Sequence, residues 1–178
     1  TSNGANVFAS SNGAWFFGLG VATPMAAVVN LEMAPSYPAK PIPGYILAGG
    51  SFGGASYSPG ASGAYFIPFS PGVPGGGNIL LYAGPDFGNT NILYGADVGG
   101  TGIWRRDMDT STVWELISAA QATGGIAVNN NVLYGSSTVA GAGVLRQLYP
   151  TIDAGAMAWQ TLNTGAGTFN ATPNALRV

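Results

Sequence analysis

Few residues in this chain are able to carry chemistry. There are five cations (Lys40, Arg105, Arg106, Arg146 and Arg177) and seven acids (Glu32, Asp86, Asp97, Asp107, Asp109, Glu115 and Asp153) in 178 residues, with no Cys and no His. A typical soluble domain of this size carries roughly 44 charged residues. The missing Cys and His exclude disulfides, zinc sites of the usual type, Ser-His-Asp and Cys-His catalysis, and haem ligation by His. Glycoside hydrolysis needs two carboxylates about 5 to 9.5 Å apart across the scissile bond. Asp86 and Asp97, in Gly-rich turns flanking a strand, are the first acids to consider for it. The Gly-rich segments 49–54 and 75–77 lack the Lys-Ser or Lys-Thr of a phosphate loop. Calcium could use Asp97, or Asp107 with Asp109, but no Asp-x-Asp-x-Asp-Gly loop is present. No cofactor is expected. A net charge of −2 without a basic patch argues against nucleic acid, where Lys and Arg must neutralise phosphates. It also provides no polybasic attraction to anionic lipid.

The elements that would position these residues come from an internal repeat. Asn91-Ile92-Leu93-Tyr94-Gly95, a Gly-rich turn and Gly102-Ile103-Trp104-Arg105 are matched by Asn131-Val132-Leu133-Tyr134-Gly135, another such turn and Gly143-Val144-Leu145-Arg146. Each copy continues to a Trp, in Trp114-Glu115-Leu116 and Trp159-Gln160-Thr161-Leu162. Fainter copies are Asn6-Val7-Phe8-Ala9 with Gly13-Ala14-Trp15-Phe16, and Tyr45-Ile46-Leu47-Ala48-Gly49 with Gly63-Ala64-Tyr65-Phe66. The copies therefore start near 7, 46, 92 and 132. Apolar runs at 27–29, 79–82, 126–128 and 175–178 add one strand per copy. Each unit offers three or four short strands, rich in β-branched and aromatic residues and separated by Gly, Pro, Asn and Ser. The chain reads as all-β and as one repeat domain, 1–178, or a fragment of a larger one.

Residues 112–122 have partial helical spacing, with Val113, Leu116 and Ile117 on one side. The repeat assigns 114–117 to a strand and 118–125 to a turn. Residues 35–43 and 68–77, rich in Pro and Gly, read as surface loops. Residues 14–31 are largely apolar, but Gly18, Gly20, Pro24 and Asn30 cut them into strand-sized pieces, so no membrane span is expected.

Together the Leu-Tyr-Gly strand, the Gly-hydrophobic-hydrophobic-Arg strand and the following Trp resemble the repeat of sialidase-like β-propellers, such as the bacterial neuraminidase repeat and sortilin-type proteins. The resemblance covers residues 79–178 best. The motif of that family is the Asp box, Ser-x-Asp-x-Gly-x-x-Trp. Residues 107–114 keep Asp109 and Trp114 in register, with Asp107 for the Ser and Ser111 for the Gly. Thr151-Ile152-Asp153-Ala154-Gly155 keeps the front of the box, and one inserted residue precedes Trp159. The resemblance implies a propeller of about four blade-like units. It also implies that Asp109, Asp153, Trp114 and Trp159 shape and pack a hairpin turn. Arg105 and Arg146, like Tyr94 and Tyr134, hold equivalent repeat positions, as structural residues do. A β-sandwich or jelly roll is the alternative, because strand spacing does not determine closure.

A surface this poor in charge, and rich in Asn, Thr, Ser and Gly, favours association over dispersion. The expected role is a non-catalytic structural or recognition module outside the cell or at its surface. Its partners would be copies of itself, in a layer, coat or fibre, or the rest of a larger chain. The alternative is a carbohydrate-binding propeller or a glycoside hydrolase fragment, with four Trp and eight Tyr available to stack on glycans. Asn170-Ala171-Thr172 is a possible glycosylation triplet, followed by Pro173.

Overall fold

A computed structural model of the chain describes residues 6–9, 17–22, 27–34, 45–59, 65–84, 87–98, 101–129, 132–137, 144–148 and 160–162. Among them β1 (Asn6–Ala9) pairs with β2 (Phe17–Ala22). A four-stranded antiparallel meander follows, made of β3 (Val28–Met33), β4 (Ile46–Gly50), β5 (Ala55–Ser58) and β6 (Ile67–Pro68). The third sheet runs in chain order through β7 (Asn78–Ala83), β8 (Ile92–Val98), β9 (Thr101–Asp107), β10 (Glu115–Asn129), β11 (Val132–Ser137), β12 (Val144–Leu148) and β13 (Gln160–Thr161). One short helix, α1 (Phe87–Thr90), lies between β7 and β8. The all-β expectation holds, and strands begin at 6, 46, 92 and 132, beside the expected starts of the four copies. Among the described residues no helix is long and apolar enough to cross a membrane.

The fifteen-residue β10 replaces the turn expected at 118–125. Its first part pairs with β9, Glu115 opposite Arg105 and Leu116 opposite Trp104, and contact persists to Ala122 opposite Thr101. Its last part, Gly125 to Asn129, pairs with β11. Irregularities between 116 and 118, 118 and 122, and 123 and 125 take up the extra residues. Bulges of this kind bend a strand without ending it, so β10 changes partners while remaining extended.

The change of partner produces layers. Leu93 of β8 is buried with Ile79, Leu81, Trp104 and Trp114 against Leu47 and Ala55 of the β3–β6 sheet and against Phe69, which follows β6. Ile92, Tyr94 and Ala96, from the opposite face of the same strand, are buried with Ile103 and Ile117 against Ile126 and Leu133. Strand β8 is therefore covered on both sides, which its nearly unbroken apolar sequence requires. Residues 68–77 correct the surface-loop expectation in part. Phe69 and Val73 are core residues, and Gly95 leaves room for Val73, whose Cγ2 would lie 3.0 Å from a Cβ there.

The two downstream copies share one register. Tyr94 is opposite Arg105 and Gly95 opposite Trp104, as Tyr134 is opposite Arg146 and Gly135 opposite Leu145. Leu81 pairs with Gly95 as Ile126 pairs with Gly135. The upstream copy differs: Leu47, aligned by sequence with Leu93, shares a core with it, whereas Leu93 and Leu133 lie in separate cores. Stacked in one sense, the upstream unit matches Leu47 to Tyr94 and Leu31 to Leu81, one residue from the sequence alignment. A slip of one residue exchanges the two faces of a strand, and a short Ile-Leu-x-Gly match is too brief to detect it.

Strand β7 is a sheet edge, and its outward backbone groups are met by side chains of β3. Asn30 Nδ2 donates to the Leu81 carbonyl at 2.9 Å, and the Leu81 N–H donates to Asn30 Oδ1 at 3.1 Å. The Ala83 N–H donates to Glu32 Oε1 at 2.8 Å. A Cβ at Gly49 would run into the Ile79 carbonyl oxygen and Asn30 Oδ1, so this close approach requires glycine. Burial pushes the Glu32 pKa from its ordinary 4.5 up to about 7, outweighing the Ala83 hydrogen bond that lowers it.

Replacing Asn30 by Ala should cost about 2 to 3 kcal/mol in urea unfolding, because two edge groups lose their partners in a partly buried seam. Glu32 binds its proton more tightly in the folded state. Its contribution should be largest below about pH 4.5 and be lost as pH rises through 7. The loss should be on the order of 2 kcal/mol, and Glu32→Gln should flatten that slope while keeping an acceptor for Ala83.

Candidate functional site

Of the polar residues singled out in the sequence, Arg105, Asp107 and Asp109 lie where β9 turns into β10. Asp107 ends β9 and organises the turn. Its Oδ1 accepts from the N–H groups of Asp109 at 2.8 Å and Thr110 at 3.2 Å, and its Oδ2 accepts from the Thr110 hydroxyl at 2.7 Å. This is the side-chain-to-backbone turn that Asp favours, made by Asp107 where Asp109 was expected to make it. Asp109 instead accepts from the Asn91 side-chain amide. Asn91 has φ 55°, accepts from the Met108 N–H at 2.9 Å through its carbonyl, and donates its own N–H to the Phe87 carbonyl at 2.9 Å. It thus ends α1 in the left-handed conformation that Asn tolerates and binds the turn to that helix. The role of Asn91 was not anticipated, although an Asn before the strand in three of the four copies was a signal of it.

Trp114 closes the turn and is buried. Its ring meets Phe69 edge-on at 5.3 Å, the first contact of a row running through Tyr57 (4.9 Å), Tyr45 (5.7 Å) and Phe87 (5.9 Å). Tilted and edge-on pairs like these add about 0.5 to 1.5 kcal/mol each beyond area burial, and this row joins the two larger sheets.

Beside the turn is a cleft of about 250 Å³ whose lining includes Arg105, Arg106, Asp107, Thr110, Ser111 and Glu115. Its polar groups are largely bonded to one another. Arg105 Nε donates to Glu115 Oε2 at 2.6 Å. Arg106 Nε donates to the Ser111 carbonyl at 3.2 Å, and its guanidinium stacks 5.0 Å above the Phe69 ring. Burial lowers the Arg106 pKa, and Tyr57 acts in the opposite direction. The Ser111 hydroxyl donates to the Val113 carbonyl at 2.9 Å. Arg106 Nη1 has no partner, but it is closed off from solvent.

The downstream copy repeats the central pair: Arg146 Nε donates to Gln160 Oε1 at 2.8 Å. Glu115 follows Trp114 as Gln160 follows Trp159, so the partner has changed from an acid to an amide at one repeat position. Tyr94 is buried in the second core, whereas Tyr134 is half-buried.

Asp97 lies apart from the cleft. It is buried, its Oδ1 has no hydrogen-bond partner, and its carboxyl group packs over Gly75 and Gly77, where a Cβ would displace it. A carboxyl group there makes the glycine run unsuited to phosphate. Asp86, Asp153, Trp159 and Asn170 lie outside the described residues. Among the described residues no three metal-ligating side chains gather. No protein-family model and no curated protein matches the chain.

Trp114→Ala should cost about 3 to 5 kcal/mol by cavity formation. Asp107→Ala should cost about 1 to 2 kcal/mol, since it leaves two turn N–H groups without their acceptor. Urea melts of the two variants should rank in that order, with Asp109→Ala costing less than either.

Proposed function

We propose that this chain is a non-catalytic structural and recognition module that works outside the cell. In this reading its four-stranded units are blades of propeller type, related to the Asp-box repeats that residues 79–178 resemble, and it associates with further copies of itself in a layer, coat or fibre. One observation carries the reading: the arginine pair recurs at the same register in successive units, Arg105 with Glu115 and Arg146 with Gln160. A substrate site needs groups converging on one ligand, whereas here each arginine braces its own unit. Four of the five described acids have similar tasks. Glu32 binds the β7 edge, Asp107 shapes a turn, Asp109 holds Asn91 and Glu115 holds Arg105. With twelve charges on 178 residues, little electrostatic repulsion opposes self-association.

Analytical ultracentrifugation across a concentration series should reveal ordered oligomers forming without added ligand, and glycan substrates should remain uncleaved. A chain that stays monomeric and is released from a glycan resin by free sugar would favour the carbohydrate-binding alternative. Hydrolysis that Asp97→Asn abolishes would make the chain an enzyme.

A further inference from the structure

The most exposed large apolar side chain among the described residues is carried on strained backbone. Phe52 lies in the turn between β4 and β5, where the Gly54 N–H donates to the Ser51 carbonyl at 3.1 Å. Phe52 has φ 55° and Gly53 φ 75°. Positive φ at both central residues is the requirement of a type I′ turn, which Asn-Gly meets at little cost. Of the two described non-glycine residues with positive φ, Asn91 is of a type that tolerates it and Phe52 is not. Burial gives nothing in return, since Phe52 is 81% exposed. The turn is nevertheless held firmly. Gly53 donates its N–H to the Gly77 carbonyl at 3.1 Å, the Ser51 N–H donates to the Ala27 carbonyl at 3.2 Å, and a Cβ at Gly53 would lie 2.6 Å from the Gly75 carbonyl oxygen. Strain that is kept and braced in this way is characteristic of a side chain presented for binding.

The surroundings of the ring define what would bind it. Pro74, Gly75 and Gly76 are exposed beside the turn, and a side chain at Gly76 would meet nothing within 4 Å, so the backbone there stands open. No charged residue occurs between Lys40 and Asp86, and Asp97, packed against Gly75 and Gly77, is only 4% exposed. An anion would find no cation in this stretch, and a lipid surface would find a single aromatic with no basic anchor. A neutral sugar has the matching chemistry. Its C–H face can lie on the negative face of an aromatic ring, while its hydroxyls, each able to donate and accept, can meet bare backbone N–H and carbonyl groups. We propose that Phe52 and the adjoining backbone of residues 74–76 form a binding site for a neutral saccharide, with the Phe52 ring as its stacking platform. This gives the recognition role proposed above its ligand and rests on that reading, not on self-association.

Isothermal titration of the whole chain with neutral hexasaccharides of glucose, mannose, galactose and N-acetylglucosamine tests the site, and at least one should bind. Phe52→Asn, which gives the turn its preferred Asn-Gly pair, should melt at a higher temperature than the parent chain yet bind that sugar about tenfold or more weakly. Phe52→Trp should bind it at least as tightly as the parent. A Phe52→Asn variant that is less stable than the parent would make the ring structural and overturn the proposal. Failure of every sugar to bind, or equal binding by the parent and Phe52→Asn, would also overturn it. So would Phe52-dependent binding to phosphatidylcholine vesicles in place of sugar. Ultracentrifugation keeps the two proposals apart: Phe52→Asn should associate as the parent does, whereas loss of its oligomers would place the ring between copies and overturn the sugar site. A monomeric parent that binds sugar through Phe52 would overturn self-association alone.

Discussion

Covering of the β7 edge by Asn30 and Glu32 is the interaction on which the layered structure depends. An edge strand presents backbone donors and acceptors that must find partners once neighbouring apolar surface is buried. In this protein a side-chain amide meets both the N–H and the carbonyl of Leu81, and a carboxylate oxygen meets the N–H of Ala83. Those bonds hold β3 beside β7 and allow Leu47, Ile79, Leu81 and Leu93 to close one core. The absence of a side chain at Gly49 is part of the same contact. The seam is also sensitive to acid and base, because Glu32 is partly withdrawn from water.

From that seam the chain builds by repetition. The second core, between β8 and the β10–β11 hairpin, uses the opposite face of the strands that form the first. The bulged β10 makes this possible by leaving β9 and joining β11 without a turn. Charge is used sparingly and mostly locally. Arg105, Asp107 and Glu115 brace the β9–β10 corner, and Arg106 lies over Phe69, where its planar group has an aromatic face to stack on.

Much of this was readable along the chain. Runs such as Ile92-Leu93-Tyr94 and Val132-Leu133-Tyr134, bounded by glycines, announced strands, and their spacing matched the strands that formed. The recurring Arg and Trp positions pointed to structural equivalence, and Arg105 and Arg146 occupy one register. Other features escaped because they depend on neighbours distant in sequence. Phe69 and Val73 lie in a Pro- and Gly-rich segment and become core only because Gly95 and Trp114 are positioned to receive them. Asp107 took the turn-shaping role expected of Asp109 because both are chemically able to organise a turn, and Asn91 engages Asp109.

Local composition determined the strand content, the antiparallel hairpins and the positions that repeat, since β-branched and aromatic runs between glycines have few other ways to satisfy their backbone. Alternation along each strand also established that two sets of side chains would face opposite ways. Which set turned toward which neighbour was decided only in three dimensions. Period-two alternation is unchanged in appearance by a slip of one residue, so the orientation of the β3–β6 unit depended on Asn30 and Glu32 reaching the β7 edge. The continuation of β10 was settled in the same way. Residues 118–125 carry sequence suited to a turn, and it was their continued contact with β9, β8 and β11 that kept them extended.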